Sequence, residues 1–486
     1  MSAGATSAAQ LARTALAAAQ DAAPGRAWLV GGAIRDVLLG KLEPLDLDLA
    51  VDGDPSPVAK RVSEVLGAPR FALSDRFGGY RVTAATGLQV DVMPLHTGGL
   101  AADLRRRDLT INALALPLDA AAAWPDFDHA DLVAEASGVA DLELRTLRAC
   151  SPDAMRDDPL RVLRIARTVS GGPWRIDGAT AQLARDAAPL LVQVAGERIG
   201  AEIRGLMAGE DPLQGLAAMR ALGGTDAVLP EVSALDGVTQ SKYHHLDVGG
   251  HTREVLEYSL ALESNLASYV DADSAAWATA RLDEEIGGGW SVREAMRFGA
   301  LLHDIAKPQT RVVDESRGMI GFPNHDRAGE KLAGQILERL RVPRRVVRAV
   351  QSLTLNHLRL GFLVHARPLD RGGVYDYLRR CDPMEVEVTV LALADRLATR
   401  GRRAEEAIEA HAELTRELLP EAIAWRESGG APSPLLDGDA LMQALGRPGG
   451  RWLADALDAQ RRAQFVDPAL TADAALAVAR SAADAR

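Results

Sequence analysis

The stretch from Leu29 to Val51, LVGGAIRDVLLGKLEPLDLDLAV, constrains this chain more than any other. It opens on an apolar pair, turns at Gly31 and Gly32, runs through an amphipathic segment carrying Arg35 and Asp36, and ends in an alternating run. In that run Leu45, Leu47, Leu49 and Val51 alternate with Asp46, Asp48 and Ala50. A period of two marks a half-buried strand, so the leucines face a core and both carboxylates leave from the other face. Neighbouring carboxylates repel unless a cation stands between them, and hard cations such as Mg²⁺ prefer oxygen ligands. Paired glycines upstream let backbone N–H groups approach a phosphate chain. A lone D-x-D is most often a solvated face and a lone G-G a turn. The two in this order point to metal-assisted chemistry on a nucleoside triphosphate.

With 486 residues the chain is too long for one core and divides into several domains. Its 47% hydrophobic and 25% charged residues describe a globular protein. Aromatics make up only 4%, which argues against a broad stacking platform for bases. Two cysteines, Cys150 and Cys381, exclude a disulfide framework and a cysteine-only zinc site, and fit a reducing cytoplasm. The Ala-rich N-terminus reads as a short amphipathic helix rather than a signal peptide, and no run of eighteen apolar residues suggests a membrane span. The net charge of −12 disfavours general affinity for nucleic acid, so any RNA contact must come from local basic patches.

Further along, Tyr80, Val82 and Ala84, then Leu88, Val90 and Val92, alternate with polar residues and read as neighbouring strands. Asp91 lies on their polar face, either as a third carboxylate or as a surface aspartate. LRRRDLTINALAL follows, and its three consecutive arginines seek anions or solvent. From Ser151 the period becomes about 3.6 and the rest of the chain reads as helices. Asp158 and Arg161 share one helix face, and Asp158 before Pro159 also suits an N-cap with proline at N1. A second constellation comprises His251, the adjacent His303 and Asp304, His325, His357 and Asp395. Imidazoles mixed with carboxylates suit Mn, Ni, Fe or Mg. Arg339, Arg341, Arg344, Arg345 and Arg348, then Arg400, Arg402 and Arg403, are candidates for an RNA backbone track. Residues 428 to 434 (SGGAPSP) read as a linker to a helical tail.

In combination these motifs resemble the class II tRNA nucleotidyltransferase and bacterial poly(A) polymerase family. GG-x-x-R-D is followed by D-x-D, then by R-R-D-x-T-I-N-A at Arg106 to Ala113, and by D-D-P-L-R where that family has E-D-x-x-R. The resemblance implies an α+β architecture: a polymerase β-like nucleotidyltransferase head with a mixed sheet, then an extended all-α region with an HD domain. It implies that Asp46 and Asp48 hold Mg²⁺, that Gly31, Gly32 and Arg35 cradle phosphates, and that Arg106, Arg107, Asp108 and Asn112 contact ribose and triphosphate. Asp158 and Arg161 are implied to choose the base. The H…HD…D pattern resembles HD phosphohydrolases, with His251, His303, Asp304 and Asp395 as ligands of a second divalent metal such as Ni²⁺ or Mn²⁺. The expected boundaries are 1–148 head, 149–240 neck, 241–425 HD region and 435–486 tail. The implied activity is addition of CCA to tRNA 3′ ends from CTP and ATP, in the cytoplasm, without an obligate protein partner. A poly(A) polymerase, an A-only or CC-only enzyme, an HD phosphohydrolase whose head only binds substrate, and an inactive RNA-binding protein are the alternatives.

Overall fold

The computed structural model describes residues 8–41, 45–73, 78–134 and 137–485. The chain separates into two compact units, Met1–Val194 with Gln214–Ala227, and Ala195–Leu213 with Val228–Arg486.

The first unit is built on a mixed seven-stranded sheet. Its strands are β1 (Ala27–Val30), β2 (Asp46–Val51), β3 (Arg70–Ala72), β4 (Tyr80–Thr83), β5 (Gln89–Pro94), β6 (Leu114–Pro117) and β7 (Val133–Ala134). The spatial order is β3-β4-β5-β2-β1-β6-β7. Only β2 and β5 pair in parallel; every other pair in this sheet is antiparallel. Leu47 and Leu49 are 1% exposed, whereas Asp46 and Asp48 remain on the open side. The covered face lies under α1 (Ala8–Ala22) and α3 (Ser56–Leu66), which pack on each other and bury Leu16, Val58 and Val62. Each buried leucine stabilises the sheet by roughly 1.5–3 kcal/mol, and Leu47→Ala would cost about 2–5 kcal/mol once its cavity is counted. Leu45 departs from the expected pattern. It precedes the first residue of β2 and its side chain is 46% exposed, because the core-facing register begins only at the strand itself. Leu42, Glu43 and Pro44 of the opening stretch, and the first seven residues of the chain, lie outside the described residues.

Two helices of this unit carry site residues, α2 (Gly32–Leu38) between β1 and β2, and α4 (Arg161–Ser170). The second unit is mainly helical: α5 (Val248–Asn265), α6 (Val292–Leu302), α7 (His325–Arg339), α8 (Arg344–Asn356), α9 (Arg371–Cys381), α10 (Glu385–Leu397), α11 (Ala404–Glu427), α12 (Arg451–Val466) and α13 (Ala472–Asp484) are its main members. α10 is buried on nearly every side, so it is the axis on which α5, α9 and α11 pack. The tail helix α12 docks on α9, where Tyr375 Oη donates to Asp458 Oδ1 at 2.9 Å and Phe465 joins the Tyr375 and Trp425 rings.

The all-helical expectation after Ser151 needs correction at three places. Arg175–Ile176 pairs with Thr146–Leu147, Glu285–Gly287 with Trp290–Ser291, and Val312–Asp314 with Met319–Gly321. The second of these turns on Gly287, Gly288 and Gly289, all at positive φ, a conformation that no helix continues through.

Two candidate catalytic centres

The parallel pairing of β2 with β5 places Asp48 opposite Asp91 and Asp46 opposite Gln89. Partners across neighbouring strands point to the same face, so Asp46, Asp48 and Asp91 form one acidic cluster. Arg81 on β4 faces Asp91 and grips it with two bonds, Nε to Oδ1 at 2.8 Å and Nη2 to Oδ2 at 2.7 Å. Among the described residues Asp48 and Asp46 have no such clamp. Although Asp48 keeps access to solvent, the protein beside it desolvates it in part and pushes its pKa up; Asp91 and Asp46 add to the rise, while Arg107 and Arg164 oppose it. A carboxylate raised in this way, beside two others, is what a divalent cation would relieve, so the residues fit Mg²⁺.

Gly31 sits where β1 ends against this cluster, at φ +83°. A Cβ there would meet Arg107 Nη1 at 2.9 Å and Asp48 Oδ2 at 3.5 Å. Its N–H is already committed to the Leu114 carbonyl at 2.9 Å. Gly31 therefore provides room and a turn, and its amide is not an open phosphate donor. Arg35 donates through Nη1 to Asn112 Oδ1 at 2.6 Å, and through Nε and Nη2 to Asp36 Oδ1. These bonds tie α2 to the turn Thr110–Asn112.

The arginine run is held from behind. Arg161, the first residue of α4, donates through Nη2 to the Arg106 carbonyl at 2.8 Å, and through Nη1 to the Ala154 carbonyl at 3.0 Å and the Arg107 carbonyl at 3.4 Å. Asp108 is 5% exposed. It accepts from Arg164 Nη1 at 3.0 Å, Asn112 Nδ2 at 3.1 Å and its neighbour's amide, Leu109 N–H, at 2.8 Å. Burial alone would raise its pKa, but Arg164, Asn112 and the Leu109 amide hold it below the usual range. In the chain as folded, Asp108 fastens this segment. Arg107 reaches Asp103 at 3.3 Å, and Arg106 is exposed. Asp158 is not the N-cap of α4, a position Leu160 occupies. Its carboxylate accepts from the Leu160 amide at 3.3 Å, one step ahead of the helix.

The second centre lies in the second unit and is built on helix ends. His303 follows α6, His357 follows α8 and His325 opens α7, while His251 comes from α5 and Asp395 from α10. At the ends of α6 and α8 the last carbonyls lack intrahelical partners. His303 Nδ1 meets the Ala300 carbonyl at 2.9 Å, His357 Nδ1 meets Thr354 at 2.6 Å, and His325 Nδ1 meets Phe322 at 2.7 Å. Each bond satisfies a carbonyl and also fixes the tautomer that leaves Nε2 as a lone pair facing inward. Those lone pairs converge on Asp304, which is 1% exposed. Oδ2 lies 3.0 Å from His303 Nε2 and 3.6 Å from His251 Nε2, and Oδ1 lies 3.4 Å from His325 Nε2 and 3.8 Å from His357 Nε2. His251 Nε2 is also 3.0 Å from Asp395 Oδ1.

Two groups here bring their ligand atoms close enough to hold an ion: His251, His303 and Asp304, and Asp304 with His325 and His357. Both Asp304 oxygens and the Nε2 atoms of His251 and His303 are out of solvent without a well-formed hydrogen bond. Imidazole lone pairs crowded on a buried carboxylate repel unless a cation lies among them, so this set fits a divalent metal. Lys307 Nζ, 2.6 Å from Asp304 Oδ2, balances part of the charge. Despite burial, His303 and Lys307 hold the Asp304 carboxyl well below its ordinary range, and Asp304 raises His303. Burial pushes His357 down to about 4 and His244, beside His251, down to about 3.

Residues that the sequence reading did not single out as site members include Arg81, Arg164 and Lys307. Each had a positional signal: Arg81 faces Asp91 across a strand pair, Arg164 is one turn from Arg161, and Lys307 is one turn from Asp304. Of the basic clusters, Arg339 is committed to Glu231 at 2.7 Å, whereas Arg344, Arg345 and Arg348 are exposed on α8. Neither Cys150 nor Cys381 is in a disulfide. Among the described residues no helix is long and apolar enough to cross a membrane.

Comparison with known proteins agrees with this layout. The family described as Poly A polymerase head domain matches residues 27–148, the probable RNA and SrmB-binding site of polymerase A matches 175–235, and the HD domain matches 248–400. The A-adding tRNA nucleotidyltransferase of Deinococcus radiodurans is 33% identical over 446 residues, covering 91% of this chain and 92% of that protein. The CC-adding enzyme of Thermus thermophilus is 32% identical over 449 residues, covering 91% and 90%. A solved apo CCA-adding enzyme shares the fold with a TM-score of 0.60 at 17% identity, covering 96% of this chain and 92% of that one.

Proposed function

This chain belongs to the tRNA nucleotidyltransferase family, and from that premise we propose that it adds CCA to tRNA 3′ ends from CTP and ATP. The observation that carries the reading is the β2–β5 register, which gathers Asp46, Asp48 and Asp91 beside Gly31 and Arg107. Asp46 and Asp48 would hold two Mg²⁺ ions, which supply charge neutralisation at the triphosphate and at the attacking 3′-hydroxyl. Gly31 keeps that corner free of side-chain atoms, and Gly32 opens α2 behind it. Arg106 and Arg107 face the phosphates, with Arg35 and Asn112 locking their support. Asp108 holds the segment through Arg164. Asp158 and Arg161 choose the base; the carbonyl bonds that immobilise Arg161 supply the rigidity that selection without a nucleic-acid template requires.

A second reading is favoured by the relatives themselves, one of which is an A-adding and another a CC-adding tRNA nucleotidyltransferase. Their nearly equal identities leave both partial activities in contention. Incubating tRNA that lacks its 3′ end with each labelled nucleotide separately tests this. C incorporation followed by A supports the full reaction, and incorporation of one nucleotide alone gives the partial enzyme.

The HD centre is proposed as a working site, with His251, His303, Asp304 and Asp395 as ligands and His325 and His357 completing the set. Bound there, a divalent cation such as Ni²⁺ or Mn²⁺ supplies Lewis-acid activation for phosphoester hydrolysis. A terminal or 2′,3′-cyclic phosphate would block extension, so its removal complements the head. The parts divide as residues 1–148 for catalysis, 149–240 for nucleotide and RNA contact, 241–425 for the HD site and 435–486 for the tail, all acting in the cytoplasm.

A further inference from the structure

Asp91 belongs to a row of side chains that crosses the sheet. Arg81 on β4, Asp91 on β5 and Asp48 on β2 are successive partners in the register, so all three leave from the same face, about 5 Å apart from strand to strand. By position alone Asp91 would be a third oxygen ligand beside Asp46 and Asp48. The side chains do not share that direction. Both oxygens of Asp91 accept from Arg81, at 2.8 and 2.7 Å, which turns the carboxylate towards β4. Asp48 leans the other way. Its Oδ2 lies 3.5 Å from where a Cβ on Gly31 would stand, and β1, which runs into Gly31, is on the opposite side of β2 from β5.

A guanidinium matched to both oxygens of one carboxylate is a geometry that lysine cannot reproduce. The Asp91 side chain is 16% exposed and that of Arg81 39%, so the acid is the shielded partner. Charge is balanced as well. Asp46 and Asp48 keep two negative charges for cations, whereas Arg81 and Asp91 sum to zero beside them. The contacts proposed above for phosphate, ribose and base make no use of Arg81.

Resting on the reading of Asp46 and Asp48 as the pair that holds Mg²⁺, we propose that Arg81 is a positioning residue that withholds Asp91 from the metals and so fixes the site at two carboxylates. Mg²⁺ is commonly bound by one or two carboxylates plus substrate phosphates. A third carboxylate would tighten that hold, which hinders a cation that must leave with pyrophosphate.

The experiment reads metal binding directly. Free Mn²⁺ is followed by electron paramagnetic resonance during titration of the full chain, in an Asp304→Ala background that silences the second centre. Arg81→Gln releases Asp91 and should tighten binding about tenfold. Arg81→Lys keeps the charge but not the two-pronged grip, and should fall between the two. In the double variant Arg81→Gln/Asp91→Asn the pair again sums to zero and offers no carboxylate, so its affinity should return to within about twofold of the parent. In nucleotide addition, the Mg²⁺ concentration giving half the maximal rate should fall about tenfold in Arg81→Gln, a midpoint that a purely structural role would not move.

Parental affinity in Arg81→Gln would overturn the proposal. So would tightening in Arg81→Gln with parental affinity in Arg81→Lys, since charge alone would then be acting. A tenfold loss in the double variant would show that Asp91 is already a ligand, and that result stands even if the single variants fail to fold. Asp46→Ala in the same titration should abolish binding. Unchanged binding there would sink the Mg²⁺ reading itself and the clamp with it, an outcome distinct from failure of the Arg81 variants alone.

Discussion

The two centres use similar acids in opposite surroundings. In the head, Asp46 and Asp48 stand on an open strand face, and the arginines near them are braced by carbonyls and carboxylates. In the HD centre, imidazoles and Asp304 are sealed among helix ends with hydrogen-bonding capacity unmet. The open face suits cations that arrive with a substrate and leave with its product. The sealed cluster suits a resident ion, because lone pairs and carboxylate oxygens out of water are costly without one.

This contrast is broken most sharply at Asp46. Asp46→Ala should lower nucleotide addition about a thousandfold or more while leaving the metal content of the HD centre untouched. Near-normal incorporation by a folded variant would remove the head assignment. Next in size is Asp304→Ala, which takes away the carboxylate that all four imidazoles face. Elemental analysis should find tightly held divalent metal in wild type and none in this variant, with nucleotide addition retained. Equal metal content in the two proteins would show that the cluster is not the site.

A smaller effect follows from acid. The pKa values of His244 and His357 are depressed by burial, to about 3 and about 4. Their contribution to stability is full above the ordinary imidazole value near 6.5 and is lost as pH falls from there to about 4 for His357 and to about 3 for His244. The metal-free protein should therefore lose thermal stability from pH 7 to pH 4.5, with a shallower slope in His357→Gln. The head carries the opposite sign at Asp48. Its raised pKa means that ionisation disfavours the fold, so Asp48→Asn should raise the melting temperature at neutral pH in metal-free buffer, a gain that disappears in acid. Melting curves followed across pH check both.

The smallest expected change is at Asp158. Asn keeps the acceptor that meets the Leu160 amide but alters what is offered to a base, so Asp158→Asn should shift CTP against ATP preference by about tenfold with little change in melting. Unchanged preference would leave Asp158 a turn-former only.

The acid-bearing strand was legible in the sequence because alternation encodes a face directly, and Leu47, Asp46 and Asp48 fall where period two puts them. Leu45 was not, since a pattern does not say where pairing begins. The His/Asp cluster of the second unit was legible as an adjacent His-Asp pair with distant partners. The carbonyl bonds that aim the imidazoles were not, because they depend on where α6 and α8 stop. Arg161 shows a further limit: its distance from Asp158 gives a shared face, but its bonds to the Arg106 and Arg107 carbonyls come from a loop more than fifty residues away.

Gly31 has a consequence for anyone mapping this protein by mutation. Its amide is spent on Leu114, and it has no side chain to offer, so it does no chemistry of its own. Any other residue would still have to adopt φ +83° and displace the Arg107 guanidinium. A scan scored on activity would rank Gly31 beside the acids. A scan scored on metal or nucleotide ligands would find nothing there, because what the position contributes is unoccupied volume.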